Sequence, residues 1–352
     1  MGQVTEEAVL DALRNVRDPD LGMDVVSLGF IRNLAIQDSR VSFTLELTTP
    51  ACPAKGLLER QARDEVLRVP GVSEVQLRMT ARVRSSVPAG DEAPQVKNTI
   101  AVSSGKGGVG KSTVAVNLTL ALHQAGCKAG LLDADVYGPD IPLMMGTRGR
   151  PGMFQNRIIP VASHGVRLVS FAFFLKEGEA AILRGPMLSS TLKQFLFEVD
   201  WGELDYLVID LPPGTGDAQL TLSQVIPLTG ALMVTTPQEV SLLDVRKGIA
   251  MFKHLNVPIL GVVENMSYYV CPHGERVNIF GEGGGQRIAD EFRVPLLGQI
   301  PLDPETRRGG DEGLPILVGA PDSLQAQAFR AIGGAVAARI STLQLLKLPV
   351  IS

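Results

Sequence analysis

The stretch TIAVSSGKGGVGKST, residues 99–113, constrains this chain more than any other. A run of buried-type apolar residues leads directly into a glycine-rich turn, and STVAVNLTLALH follows it as a helix. Residues 105–112 fit the spacing G-x-x-x-x-G-K-S/T, in which a backbone wraps so that several N–H groups point at one phosphate. Glycine is needed because it reaches backbone conformations closed to other residues. The helix behind adds its positive N-terminal end. Gly105, Lys106, Gly107, Gly108, Val109, Gly110, Lys111, Ser112 and Thr113 are therefore expected to cradle a nucleotide. Lys111 reaches the β- and γ-phosphates, and the Ser112 hydroxyl ligates Mg²⁺.

A phosphate loop of this kind needs a parallel sheet around it. The sequence supplies the strands TIAVSS, AGLLDAD, VRLVSF, YLVIDL, ALMVTTP, PILGVVEN and PLLGQI, with helical stretches between most of them. Such alternation predicts an α/β fold whose mostly parallel sheet is covered by helices on both faces. Ahead of it, residues 1–83 read as a small α/β unit. Thr5 caps a first helix, FIRNLAI and VSFTLEL are strands, GLLERQARDEVLRV is a second helix, and VSEVQLRM is a third strand. Residues 84–97, rich in proline, glycine and serine, read as a linker to the larger domain over 98–352. The last helix is expected over roughly 322–342.

Acidic residues close two of the strands. Asp133 and Asp135 end one strand and Asp210 ends another. Carboxylates at the C-terminal ends of adjacent parallel strands lie beside a nucleotide crevice. Asp210 is expected to hold Mg²⁺ through a water, Asp133 to support the metal, and Asp135 to orient the attacking water. In PPGTGD, 212–217, two prolines stiffen the chain and two glycines let it change, which suits a switch sensing the γ-phosphate.

Bulk composition narrows the setting. The 352 residues are 45% hydrophobic and 20% charged, which is a folded chain and not a disordered one. A net charge of −4 gives no bulk support for nucleic-acid binding. No apolar run reaches the roughly 18–20 residues of a membrane span, and the N-terminus lacks a signal-peptide pattern. Three scattered cysteines do not make a disulfide framework, so a reducing cytoplasm is expected.

With these pieces in place, KGGVGKSTVAVNL, DADVYGPDIP, DLPPGTGDAQLTL, VTTPQEVSLLDVRKGIAMF, GVVENMS, FGEGGG and IPLDPETRRGGDEGLPI, in that order, resemble the Mrp/ApbC family of ATP-dependent iron–sulfur cluster carriers. RDPDLGMDVVSLGFI and LTTPACP resemble the small iron–sulfur assembly domain often fused ahead of such ATPases. The likeness covers about 5–342. It implies ATP, Mg²⁺ and a 4Fe–4S cluster as ligands, a homodimer, and recipient apoproteins as partners. KGGVGKS resembles the deviant phosphate loop of the MinD/ParA/nitrogenase-iron-protein class, so Lys106 is expected to reach the partner subunit's nucleotide. Lys106, Lys111 and Asp135 then form the catalytic set. Asn265 is expected to contact adenine, as an amide suits a purine edge, with Pro301 and Asp303 shaping the same pocket.

The family commonly shows Cys-Pro-x-Cys where this chain reads Cys271-Pro272-His273-Gly274. Four sulfur ligands are the usual requirement of a cluster. Three arrangements stay open: two Cys271 with two His273 across a dimer, two thiolates completed by other thiols, or no metal at Cys271. Cys52, at a strand-to-helix junction, is expected to have a lowered thiol pKa, as helix N-termini favour thiolate; the alternative is a small buried residue. Cys127 reads as structural, and His123, His164 and His254 as isolated. The rival function is a positioning or partitioning ATPase of the MinD/ParA class, which needs a basic amphipathic tail or a basic face. The tail STLQLLKLPVIS reads instead as a packed helix end. An electron-donating ATPase needs a stable cluster, and a scaffold needs no hydrolysis.

Overall fold

Alternation at Val41, Phe43, Leu45 and Leu47 puts four buried side chains on one face of a strand, and this face organises the smaller unit. The computed structural model describes residues 4–86, 96–174 and 185–346. The chain divides into two compact units, 1–84 together with 337–352, and 85–336. In the first, α1 (Glu6–Leu13), β1 (Ile31–Gln37), β2 (Arg40–Leu47), α2 (Lys55–Leu67) and β3 (Glu74–Ala81) follow in order. Thr5 caps α1 by accepting from the Ala8 N–H. The sheet order is β1-β2-β3, antiparallel between β1 and β2 and parallel between β2 and β3. Val9 and Leu13 of α1 and Leu58, Ala62 and Val66 of α2 pack on the apolar face of β2.

The second unit is built on an eight-stranded sheet. Its chain order is β4 (Val96–Ser104), α3 (Lys111–Gln124), β5 (Ala129–Asp133), α4 (Ile141–Met144), β6 (Gly152–Phe154), β7 (Arg157–Ile159), β8 (Val161–Ser163), β9 (Val166–Ser170), α5 (Gly185–Phe197), β10 (Leu204–Asp210), α6 (Asp217–Val225), β11 (Gly230–Thr235), α7 (Glu239–His254), β12 (Ile259–Glu264), β13 (Tyr269–Val270), β14 (Arg276–Val277), α8 (Gly284–Phe292), β15 (Leu296–Gln299), α9 (Pro304–Glu312), α10 (Ile316–Gly319) and α11 (Leu324–Leu346). Helix α11 ends in the stretch that clusters with the first unit. The sheet order is β15-β12-β11-β4-β10-β5-β9-β8. All neighbours run parallel except β8, which turns back on β9.

Strands β4, β5, β10, β11 and β12 are almost entirely buried, as expected of a sheet covered on both faces. Helix α3 is buried from Val114 to Leu122 and carries apolar residues around its circumference. Trp201, Phe195, Phe171 and Phe252 are among the large side chains filling the core.

The structure differs from the sequence reading in three places. Strand β4 begins at Val96, inside the expected linker, because Val96 is buried opposite Leu204 and Lys97 pairs with Asp205 at 2.8 Å. Residues 87–95 of that linker lie outside the described residues. The short β6–β7 and β13–β14 hairpins and edge strand β8 were not expected, since two or three residues are too few to show alternation. The last helix runs to Leu346, and the rest of the tail lies outside the described residues.

Candidate functional site: a phosphate loop beside three carboxylates

Register alone brings the acids together. Asp210 pairs laterally with Asp133 on β5 and with Val102 on β4, so both carboxylates leave the sheet at the same height as the loop that follows β4. Gly108 and Gly110 adopt φ of +80° and +79°, which turns the loop back so that Lys111 can open α3. The Gly214 N–H donates to the Ser104 carbonyl, which ties the 212–217 segment to the last residue of β4.

The Lys111 ammonium is buried and lies 2.7 Å from Asp210 Oδ1 and 3.3 Å from Asp135 Oδ2. Ser112 Oγ donates to Asp210 Oδ2 at 2.6 Å. Burial works against the charge on Lys111, but Asp210 and Asp135 outweigh it and raise its pKa. Asp133 sits one layer deeper. Its carboxylate accepts from Ser170 Oγ at 2.7 Å and from the Asp135 N–H, and burial with Asp210 alongside pushes its pKa well above the usual carboxylate range. Asp135 also accepts from the N–H groups of Tyr137 and Gly138, which fixes its side chain toward Lys111. Ser112 and Asp210 offer hard oxygen donors in contact with each other, a donor set that fits Mg²⁺. Lys106 is half-exposed on the outer turn of the loop and makes no ion pair among the described residues.

A cavity of about 420 Å³ opens beside the loop, lined in part by Thr113, Asn265, Pro301, Asp303, Thr306 and Arg307. Asn265 forms one wall and donates from Nδ2 to the Val109 carbonyl at 2.8 Å. Asp303 caps α9 by accepting from the Glu305 N–H. The structure thus brings the phosphate loop, Asn265, Pro301 and Asp303 together around one space. Two contributors carried no signal in the sequence reading: Ser170, which holds Asp133, and Gln219, which donates to Ser103 Oγ. Each is an ordinary residue in its own segment and acquires its role from a strand or helix distant in sequence. Glu264, a fully buried carboxylate outside the cavity lining, did carry a signal, as the lone acid ending the apolar run ILGVVE.

Cys271 lies in the turn joining β13 to β14. Its N–H donates to the Glu275 carbonyl, the Gly274 N–H returns to the Cys271 carbonyl, and Gly274 has φ of +85°. Cys271 is half-buried and His273 is exposed. Among the described residues, no group of three or more His, Cys, Asp or Glu is placed to hold a metal ion. Cys127 is buried in the second unit. At Cys52 the expected low pKa is overturned. Burial pushes this thiol up to about 11, and Asp18 and Asp20 add to the shift, against the opposing N–H groups of Ala54 and Lys55. A helix N-terminus therefore does not outweigh desolvation here.

Comparison with known proteins gives a consistent result. Residues 95–337 match the family model described as NUBPL iron-transfer P-loop NTPase, and residues 6–77 match the model described as iron–sulfur cluster assembly protein. A Synechocystis protein named iron–sulfur cluster carrier protein is 48% identical over 97% of this chain and 100% of its own length. One of the same name from Deinococcus radiodurans is 48% identical over 97% and 98%. Among solved structures, an Archaeoglobus fulgidus nucleotide-binding protein in complex with ADP aligns with a TM-score of 0.59 and 38% identity, over 67% of this chain and 93% of that one. The cell division ATPase MinD of Pyrococcus furiosus aligns with a TM-score of 0.51 and 26% identity, over 70% and 99%. No helix among the described residues is long and apolar enough to cross a membrane.

Two outcomes are expected. A Cβ at position 110 would lie 2.2 Å from Asn265 Nδ2 on a left-handed backbone, so Gly110→Ala should weaken ATP binding by about tenfold or more, given roughly 1–2 kcal/mol for the backbone alone; isothermal titration reads this. Alkylation of Cys52 by iodoacetamide at pH 8, followed by peptide mass spectrometry, should run roughly a hundredfold slower than for a free thiol and accelerate up to about pH 11, because only thiolate reacts.

Proposed function

This chain belongs to the family of NUBPL iron-transfer P-loop NTPases, and from that premise we propose that it is an ATP-driven carrier of iron–sulfur clusters. The observation that supports the reading is that two candidate groups lie beyond the C-terminal ends of strands of one parallel sheet. The Lys111–Asp210–Ser112 cluster follows β4 and β10, and the Cys271 turn follows β12, two strands away from β4. The names of the relatives at 48% identity support the cargo, and the ADP complex of the Archaeoglobus protein supports the nucleotide.

ATP is the substrate in this reading. The N–H groups of residues 105–112 hold its phosphates, and Lys111 exchanges its carboxylate partners for the β- and γ-oxygens. The base enters the cavity walled by Asn265, Pro301 and Asp303, where the amide and carboxylate offer donor and acceptor to a purine and ribose. Ser112 and Asp210 would hold Mg²⁺, with Asp133 behind them, and the ion would neutralise charge on the transferring phosphoryl group. Asp135 orients the attacking water. Lys106, half-exposed and without a carboxylate partner among the described residues, reaches the nucleotide of a second copy. Release of the γ-phosphate relaxes the 212–217 segment, which is bonded to the loop through Ser104.

The cluster is cargo. One protomer contributes a single exposed-turn thiol, so the cluster is shared between two copies, each giving Cys271, with His273 or an added thiol completing the set. Few protein ligands make a weak site, and a carrier must let go. The residues 1–83 act with this ATPase as a cluster-handling domain ahead of β4. Recipient apoproteins are the partners, and a reducing cytoplasm suits three free cysteines.

Anaerobic reconstitution of the full chain with ferrous iron and sulfide tests the cargo. Wild type should take up iron with charge-transfer absorption and pass it to an apo-ferredoxin faster or slower according to nucleotide, and Cys271→Ser should lose most of the bound iron. Equal iron in both proteins would remove Cys271 from the site. Light scattering with ATP should show a dimer that Lys106→Ala abolishes; a monomer in wild type would sink the shared-cluster arrangement.

A further inference from the structure

We propose that Glu264 is the positioning residue that couples the nucleotide pocket to the Cys271 hairpin. The inference rests on the carrier reading above for the meaning of that hairpin, but not for the coupling itself.

Glu264 is the last residue of β12 and is fully buried. A buried carboxylate is costly unless donors satisfy it. Here three do. Oε1 accepts from the Ser267 hydroxyl and from Gln299 Nε2 at 2.7 Å, and Oε2 accepts from the Gly285 N–H at the start of α8. The first turn of α8 also presents its positive end to this charge.

The donors are placed in an informative way. Ser267 opens the excursion that carries Cys271, and Gly285 closes it. One carboxylate therefore grips both ends of a 19-residue segment, 267–285, while Gln299 fixes that grip to β15. The residue next to Glu264 is Asn265, which bonds the Val109 carbonyl within the phosphate loop and walls the cavity. A displacement of the loop at Val109 is passed through Asn265 to Glu264 and hence to both roots of the hairpin.

This explains the glycines at 284 and 285. A Cβ on Gly285 would stand 2.8 Å from Glu264 Cβ, and one on Gly284 would stand 2.5 Å from the Pro237 carbonyl. Only bare backbone lets α8 start close enough for its N–H to reach the carboxylate. The rest of the hairpin hangs from these anchors by backbone bonds, Ser267 N–H to the Ile300 carbonyl and Leu302 N–H to the Tyr268 carbonyl. The Leu302 bond leads back to the cavity wall, between Pro301 and Asp303.

The test needs no iron. Hydrogen–deuterium exchange of the full chain is followed by mass spectrometry with and without Mg-ATP. Wild type should show a nucleotide-dependent change in exchange across 268–283 of at least about threefold. Glu264→Gln keeps the shape but turns one acceptor into a donor, facing groups that already donate. It should still bind ATP within about threefold of wild type, because Glu264 does not line the cavity, yet lose the response of the hairpin. Ser267→Ala, which leaves the carboxylate intact, should weaken the response partially, and Gly285→Ala should abolish it without any change of charge. Circular dichroism melting identifies a variant that fails to fold, and Ser267→Ala then decides. A hairpin response that survives in Glu264→Gln and Ser267→Ala overturns the proposal, as does a wild-type hairpin unmoved by bound ATP. Failure of iron uptake in wild type would instead count against the carrier reading, with this measurement still standing.

Discussion

A single ammonium buried among carboxylates is the interaction around which the larger unit is arranged. Lys111 opens α3, Asp210 ends β10, and Asp135 follows β5, so the pairing links three segments far apart in the chain. A charge in that position is tolerated only because its partners are close and fixed. Parallel strands in register supply the fixing, as Asp133 and Asp210 face each other across one ladder. Phosphate chemistry at this point then follows from the same geometry, because the ammonium that holds carboxylates can hold phosphate oxygens.

The sheet order adds the next level. With β10 and β11 on either side of β4, the loop after β4 is flanked by the acids on one side and by Asn265, one strand beyond β11, on the other. The cavity beside the loop lies on that second side, and the Cys271 turn springs from the same strand end as Asn265. In the proposed function, nucleotide and cargo would be neighbours through β12, with no long-range relay needed to connect them. Gly110, Gly284 and Gly285 serve the same end, since each lets backbone approach where a side chain would block contact.

Cysteine usage fits this division of labour. Burial makes Cys52 a poor thiolate in spite of its place ahead of a helix, whereas Cys271 sits in an open turn held by two backbone bonds. Desolvation decides the chemistry of Cys52, and the assembly-domain resemblance around it says nothing about that.

Much of the fold was legible in the sequence because its signals are local. Apolar runs gave the buried strands, the glycine spacing gave the phosphate loop, and strand-end aspartates marked the crevice; these depend on neighbours within a few residues. The short hairpins and the entry of Val96 into β4 were not legible, since two-residue strands carry no period and Val96 is recruited by Leu204 across the sheet. Nor were the buried polar contacts. Ser170 reaches Asp133, Gln219 reaches Ser103, and Glu264 gathers Ser267, Gly285 and Gln299 only after the strands are aligned. The sequence by itself determined which backbone could grip a phosphate and which strands could be buried. The tertiary structure decided which carboxylates meet, how far the Cys52 thiol is desolvated, and which loop shares a root with the cavity beside the phosphate loop, because those contacts join residues that only folding brings together.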